Sequence, residues 1–154
     1  MSATRATRAT RAKRPAAVKG APGQLDALRA AAASAMQRAY APYSDFRVGA
    51  ALLTPEGEIV AGCNVENSSF PSGGCAERGA LFAGVVAGHR RFTHLTIVTE
   101  ADEPTPPCGM CRQALVEFAP VLEITSVTTR GAEARWTLAD LLPNPFTPRS
   151  LRHQ

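Results

Sequence analysis

Three cysteines and one glutamate carry the chemistry in this chain. Cys75 stands two residues before Glu77, and Cys108 and Cys111 close a Pro-Cys-x-x-Cys run beginning at Pro107. Two cysteines three positions apart at a helix start can point at one ion, and Zn²⁺ takes thiolates at ~2.3 Å in tetrahedral sets of four. Three protein ligands leave the last position to water, the pattern of a catalytic zinc rather than a sealed structural one. Residues i and i+2 of a forming helix do not share a face. Cys75 can therefore hold the ion while Glu77 overlooks the open position, the place for a carboxylate that takes a proton from water and hands it to a substrate.

Rival readings of these residues are weaker. A lone C-x-x-C suits a redox pair, but the distant Cys75 with its Glu77 favours a metal. Glu77 alone would pass for a first-turn acid favoured by the helix dipole. Cys63 falls inside a predicted strand, where a free cysteine packs as a small apolar residue. His89, His94 and His153 have no ligand partner at a motif spacing. Three thiolates around Zn²⁺ leave a net negative centre that polarises water poorly. Helix N-termini under both cysteine clusters would offset this, as would an arginine. Arg78 is expected to donate to the thiolates; Arg112 either does the same or makes a surface salt bridge.

The elements that must position these groups follow from periodicity. Residues 25–39 read as an amphipathic helix with Leu25, Leu28, Ala32 and Met36 on one stripe. Phe46 to Thr54 and Glu58 to Val65 read as strands joined by the turn Thr54-Pro55-Glu56-Gly57. A helix is predicted from about Cys75 to Ala87, with Gly88 as its stop. A short strand, Leu95 to Thr99, precedes a proline-rich loop, and a helix runs from about Gly109 to before Pro120. Glu123 to Thr129 and Ala134 to Thr137 close the strand set. This α-β-β-α-β-α-β-β order predicts an α/β fold with a partly parallel sheet covered by helices. Both cysteine clusters then fall at loop-to-helix junctions on one sheet edge, where α/β ligands bind.

Composition narrows the function classes. The chain has 154 residues, enough for one domain. No apolar run approaches the ~20 residues that span a bilayer. The formal charge of +4 is unevenly placed: residues 1–24 hold six basic residues and no acid, leaving eleven basic against thirteen acidic residues beyond them. A basic face for nucleic acid is not supported in the folded part. The Arg-Ala-Thr-rich residues 1–24 are expected to be a disordered extension, residues 25–148 the folded domain, and 149–154 a tail. No secretory pattern is present and the cysteines read as metal ligands, so a cytoplasmic location is expected.

Taken together the motifs resemble the cytidine deaminase family in its short, homotetrameric form. The matching runs are Tyr43-Ser44-Asp45-Phe46-Arg47-Val48-Gly49-Ala50-Ala51-Leu52, Gly62-Cys63-Asn64-Val65-Glu66-Asn67, Cys75-Ala76-Glu77-Arg78, Pro107-Cys108-Gly109-Met110-Cys111-Arg112-Gln113, and Leu141-Leu142-Pro143 with Phe146. The chemistry of such zinc deaminases, with a Pro-Cys-x-x-Cys run, is a known template. The resemblance implies a three-layer αβα sandwich around a mixed five-stranded sheet and one Zn²⁺ per subunit on Cys75, Cys108 and Cys111. It implies hydrolysis of cytidine and 2′-deoxycytidine to the uracil nucleosides and ammonia in pyrimidine salvage. On that resemblance activated water would attack C4, and Glu77 would shuttle the protons.

It further implies that Asn64 and Glu66 bind ribose hydroxyls, Phe46 packs against the base, and Ala76 helps orient the exocyclic amine. Phe146 would enter a neighbouring subunit's pocket, and Gln113 would support the metal ligands with Arg78. The partners are then a small pyrimidine nucleoside and identical subunits, without membrane or nucleic acid. Phe70 where tyrosine is common, Ser72-Gly73-Gly74, and Gly79 depart from the family pattern near the pocket entrance. They leave open a related enzyme acting on another aminopyrimidine, such as a nucleoside antibiotic.

Overall fold

The computed structural model describes residues 22–151. The basic residues of the N-terminal extension and His153 lie outside them. Helix α1, Pro22–Met36, opens on a proline, which suits a first helical turn whose N–H groups have no partner. It begins inside the stretch read as extension and ends before Pro42. Leu28, Ala32 and Met36 are buried, while Leu25 is half-buried.

Strand β1, Val48–Leu53, and β2, Ile59–Cys63, form the expected hairpin, with Gly49 opposite Cys63 and Leu53 opposite Ile59. Gly57 N–H donates to Thr54 O at 3.1 Å to close the turn. After a 3₁₀ turn at Phe70–Ser72 come α2, Ala76–Val86, and β3, His94–Thr99. Helix α3, Gly109–Val116, leads to β4, Glu123–Thr128, and β5, Glu133–Thr137. A four-residue α4, Leu138–Leu141, follows.

The five strands form one sheet in the order β2-β1-β3-β4-β5. It is mixed: β3 and β4 are parallel and every other pair is antiparallel. The parallel pair needs a crossover, which α3 supplies. Side chains alternate between faces, so β1 feeds two cores. Ala50 and Leu52 join Leu81, Leu95, Ile97, Leu115, Leu122 and Ile124. Ala51 and Leu53 join Leu28, Ala32, Met36 and Val98 under α1. The result is the expected three layers. Two glycines allow the close approach: a Cβ at Gly49 would lie 2.0 Å from Ala32 O of α1, and one at Gly62 2.3 Å from Ala80 N of α2. Among the described residues no helix is long and apolar enough to cross a membrane.

This topology positions the cysteines. Strands β2 and β3 both run antiparallel to β1, so their C-terminal ends share one sheet edge. Helices α2 and α3 follow those ends. β2 stops at Cys63 rather than Val65; Val65 makes isolated bridges with Tyr40 and Gly74. Asn64 and Glu66 therefore sit just past the strand end, where the backbone turns toward α2.

Candidate metal centre and pocket

Cys75 is the N-cap residue of α2 and Cys108 that of α3, while Cys111 lies buried one turn into α3. The Cys75 and Cys108 sulfurs are 3.8 Å apart and those of Cys108 and Cys111 3.5 Å. All three lie within 4.8 Å of one another, the one such metal-capable group among the described residues. Thiolates ~2.3 Å from a tetrahedral zinc stand about 3.8 Å from each other, so the donor set fits that ion. Cys63 is outside the group, its thiol 3.5 Å from Arg38 O. The set is therefore three sulfurs and not four.

The sulfurs cannot all be anions without a cation among them. The Cys111 thiol, hydrogen-bonded to Cys75, brings the Cys75 thiol down to about 5 against the penalty of burial, with help from Cys108 and Arg78. Cys111 moves the opposite way, pushed up by the same contact with Cys75 and by burial. A metal resolves that competition by letting every sulfur ionise. Burial opposes the charge on Arg78, yet the neighbouring Cys75 and Cys111 outweigh it and hold the guanidinium firmly protonated. Arg78 also donates to Gly73 O at 3.3 Å, and its Nε is buried without a hydrogen-bond partner.

Glu77 is 6 % exposed. Burial raises its carboxyl above the ordinary carboxylate range; the Cys75 charge adds to this, and its own backbone N–H opposes it. A carboxyl shifted that way can hold a proton nearer neutrality, as a group that must both accept and give one requires.

Cys75, Cys108, Glu77 and Arg78, with Cys111 buried behind them, line a cavity of about 620 Å³ together with Phe46, Asn64, Glu66 and Ala76. The elements around it are pinned by side chains whose roles the sequence left open. Asn64 accepts from Val48 N–H and donates to Phe46 O, both at 2.8 Å, extending β1 by a side-chain rung. Glu66 Oε2 accepts from Tyr43 N–H at 2.8 Å and Ser44 N–H at 3.2 Å, and Oε1 from the Ser44 hydroxyl. The Ser44 hydroxyl, then the Tyr43 and Ser44 amides, hold the Glu66 carboxyl below its usual range. Phe70, 76 % exposed, meets Tyr43 edge to face with ring centroids 6.0 Å apart at the rim.

Two side chains of α3 are taken up by backbone groups elsewhere in the chain. Arg112 is neither a thiolate donor nor a surface ion pair: its guanidinium donates to Pro107 O at 2.7 Å and Leu141 O at 3.0 Å, tying the Cys108 loop to α4. Gln113 has its amide taken up by the backbone of Phe146, donating to its carbonyl at 2.7 Å and accepting its N–H at 3.2 Å. Cys111 faces the core, and a residue two places on points to the far side of the helix. Phe146 is 58 % exposed and is not among the residues lining its own chain's cavity. Ser44, Tyr43 and Thr105 were missed as contributors. Thr105 N–H is held by the buried Ser126 hydroxyl at 3.0 Å. Only the Tyr-Ser pair, two residues before Phe46, left a trace in the sequence.

Residues 23–127 match the family described as the cytidine and deoxycytidylate deaminase zinc-binding region. A cytidine deaminase of Sporosarcina psychrophila is 40% identical over 130 residues, 84% of this chain and 96% of that protein. One from Mycobacterium tuberculosis is 40% identical over 119 residues, 77% of this chain and 86% of that protein. The crystal structure of a cytidine deaminase from Burkholderia pseudomallei superposes with a TM-score of 0.76 at 45% identity, covering 79% of this chain and 98% of that one.

Proposed function

The chain belongs to the cytidine and deoxycytidylate deaminase family, and from that membership we propose that it hydrolyses cytidine and 2′-deoxycytidine to uridine and 2′-deoxyuridine with release of ammonia. The observation that carries the reading is the three-sulfur group, two of whose cysteines line one cavity together with the buried Glu77. Cys75, Cys108 and Cys111 would hold the zinc, which when bound supplies Lewis acidity toward water. Glu77 takes the proton of the attacking water, delivers it to ring N3, and passes a second proton to the leaving amine. Its burial supports this dual role. Arg78 offsets the negative charge of the thiolates. Phe46 stacks against the base, backbone groups at Ala76 orient the amine, and Asn64 and Glu66 meet the sugar hydroxyls while holding the 43–48 segment.

The finer reading is a homotetrameric, cytoplasmic enzyme of pyrimidine salvage, its catalytic unit spanning residues 25–148. Phe146 would complete a neighbour's pocket. Its exposure supports this, as do Phe82 and the 89 % exposed Val86, one turn apart on the outer face of α2, since exposed apolar patches mark contact surfaces. The test is ammonia release from a panel of cytidine, 2′-deoxycytidine, cytosine and single-stranded DNA. Turnover of the two nucleosides alone is expected. Preference for the free base or the polynucleotide would overturn the proposal.

A further inference from the structure

The segment that carries Phe46 closes around one carboxylate. Tyr43 N–H and Ser44 N–H both donate to Glu66 Oε2, the Ser44 hydroxyl donates to Oε1, and Phe46 N–H donates to the Ser44 oxygen at 3.1 Å. Asp45 lies between them at φ 54°, the one non-glycine positive φ among the described residues. Aspartate tolerates that conformation better than most residues, and it turns the chain so that Phe46 N–H comes back to the Ser44 side chain.

Counting donors and acceptors gives the arrangement a direction. A serine hydroxyl has one proton to give, and here it goes to Glu66. The chain therefore runs one way, from Phe46 N–H through the Ser44 hydroxyl to the Glu66 carboxylate. A carboxylate offers about four acceptor positions. Three are occupied, both of those on Oε2 and one on Oε1, so a single acceptor remains on Oε1 for a ligand in the cavity that Glu66 lines.

We infer that Ser44 is a positioning residue: its one hydroxyl fixes the Glu66 carboxylate and the Phe46 backbone together, so that recognition of a sugar hydroxyl and packing on the base are set jointly. This rests on the reading of Glu66 and Phe46 as nucleoside-binding groups. Without the hydroxyl, Oε1 has two open acceptors and the carboxyl can rotate about its two remaining bonds on Oε2. Phe46 N–H must then turn to water.

The experiment is steady-state kinetics of the zinc-loaded protein with Ser44→Ala and Ser44→Thr, using cytidine and 2′,3′-dideoxycytidine, which lacks the 2′- and 3′-hydroxyls through which Glu66 would bind. For cytidine, Ser44→Ala should raise KM about tenfold (about 1.4 kcal/mol) with kcat within about twofold, since ground-state alignment is lost and not the proton transfer. For the dideoxynucleoside the rise in KM should shrink to about threefold or less. Ser44→Thr, which keeps the hydroxyl, should restore wild-type KM. Ser44→Ala in a Glu66→Gln background should add little to the effect of Glu66→Gln alone.

Equal KM changes for both nucleosides would overturn the inference, as would an unchanged KM, a fall confined to kcat, or failure of both Ser44→Ala and Ser44→Thr to fold. A wild-type protein inert on both cytidine and 2′-deoxycytidine would instead overturn the functional reading beneath it.

Discussion

Asn64 offers the sharpest separation of a structural from a ligand-binding role. Its side chain makes two hydrogen bonds, one to Val48 at the start of β1 and one to Phe46 two residues earlier, each 2.8 Å long and to a backbone group sixteen or eighteen residues away. Replacing it by alanine leaves Val48 N–H and Phe46 O to water. At about 1 kcal/mol per neutral hydrogen bond the loss is about 2 kcal/mol, because the half-buried site lets water recover part of the larger penalty of an unpaired group. For a domain of this size, 1 kcal/mol moves Tm by about 3–5 °C, so thermal unfolding of Asn64→Ala should fall by about 6–10 °C. Asn64→Asp should do at least as badly, because the carboxylate that replaces the amide donor then faces Phe46 O. The assay is calorimetry of the zinc-loaded proteins alongside nucleoside KM. If Asn64→Ala kept the wild-type Tm and only KM rose, the side chain would be free for the ligand and the β1 extension would carry no energy.

Other outcomes follow from the same geometry. Cys108→Ser should lose most of its bound zinc, whereas Cys63→Ser should keep both metal and turnover; equal zinc loss in the two, by elemental analysis, would contradict the three-sulfur set. Leu28→Ala, which empties a fully buried position under α1, should lower unfolding free energy by about 2–5 kcal/mol in denaturant titration while leaving zinc content unchanged. Burial lowers His94 from its ordinary 6.5 in spite of Glu123. The unfolded chain therefore binds this proton more readily, and the stability from neutral His94 is present above pH 6.5 and lost as pH falls below it. Subtracting the denaturation curve of His94→Gln from that of the wild type between pH 5 and 7.5 should show this loss; a flat difference would contradict it.

The order of elements was legible because each has a local cause: Ala-rich periodicity in α1, β-branched runs in β3 and β4, and Pro-Glu-Gly at the first turn. The metal trio was legible because helix N-termini repeat the same loop-to-helix junction in both cysteine clusters. What could not be read was where long polar side chains end. Arg112 and Gln113 stand one and two places after Cys111 in sequence, yet their partners include Leu141 and Phe146, about thirty residues on and brought near only by α4 and the segment after it. Likewise, nothing local tells Glu66 to spend three of its acceptors on Tyr43 and Ser44. The strand end at Cys63 also escaped, because the Val65 bridges to Tyr40 and Gly74 depend on the packed chain.

In the proposed function three sulfurs hold one zinc beside a carboxyl that moves the protons. The most direct test is zinc content and ammonia release from cytidine, measured on the same samples of the wild type and Glu77→Gln. About one zinc per chain is expected in both proteins, with turnover in the wild type and a rate at least about 10²-fold lower in Glu77→Gln. A metal-free wild type that still deaminates cytidine, or a zinc-replete Glu77→Gln with undiminished turnover, would contradict it.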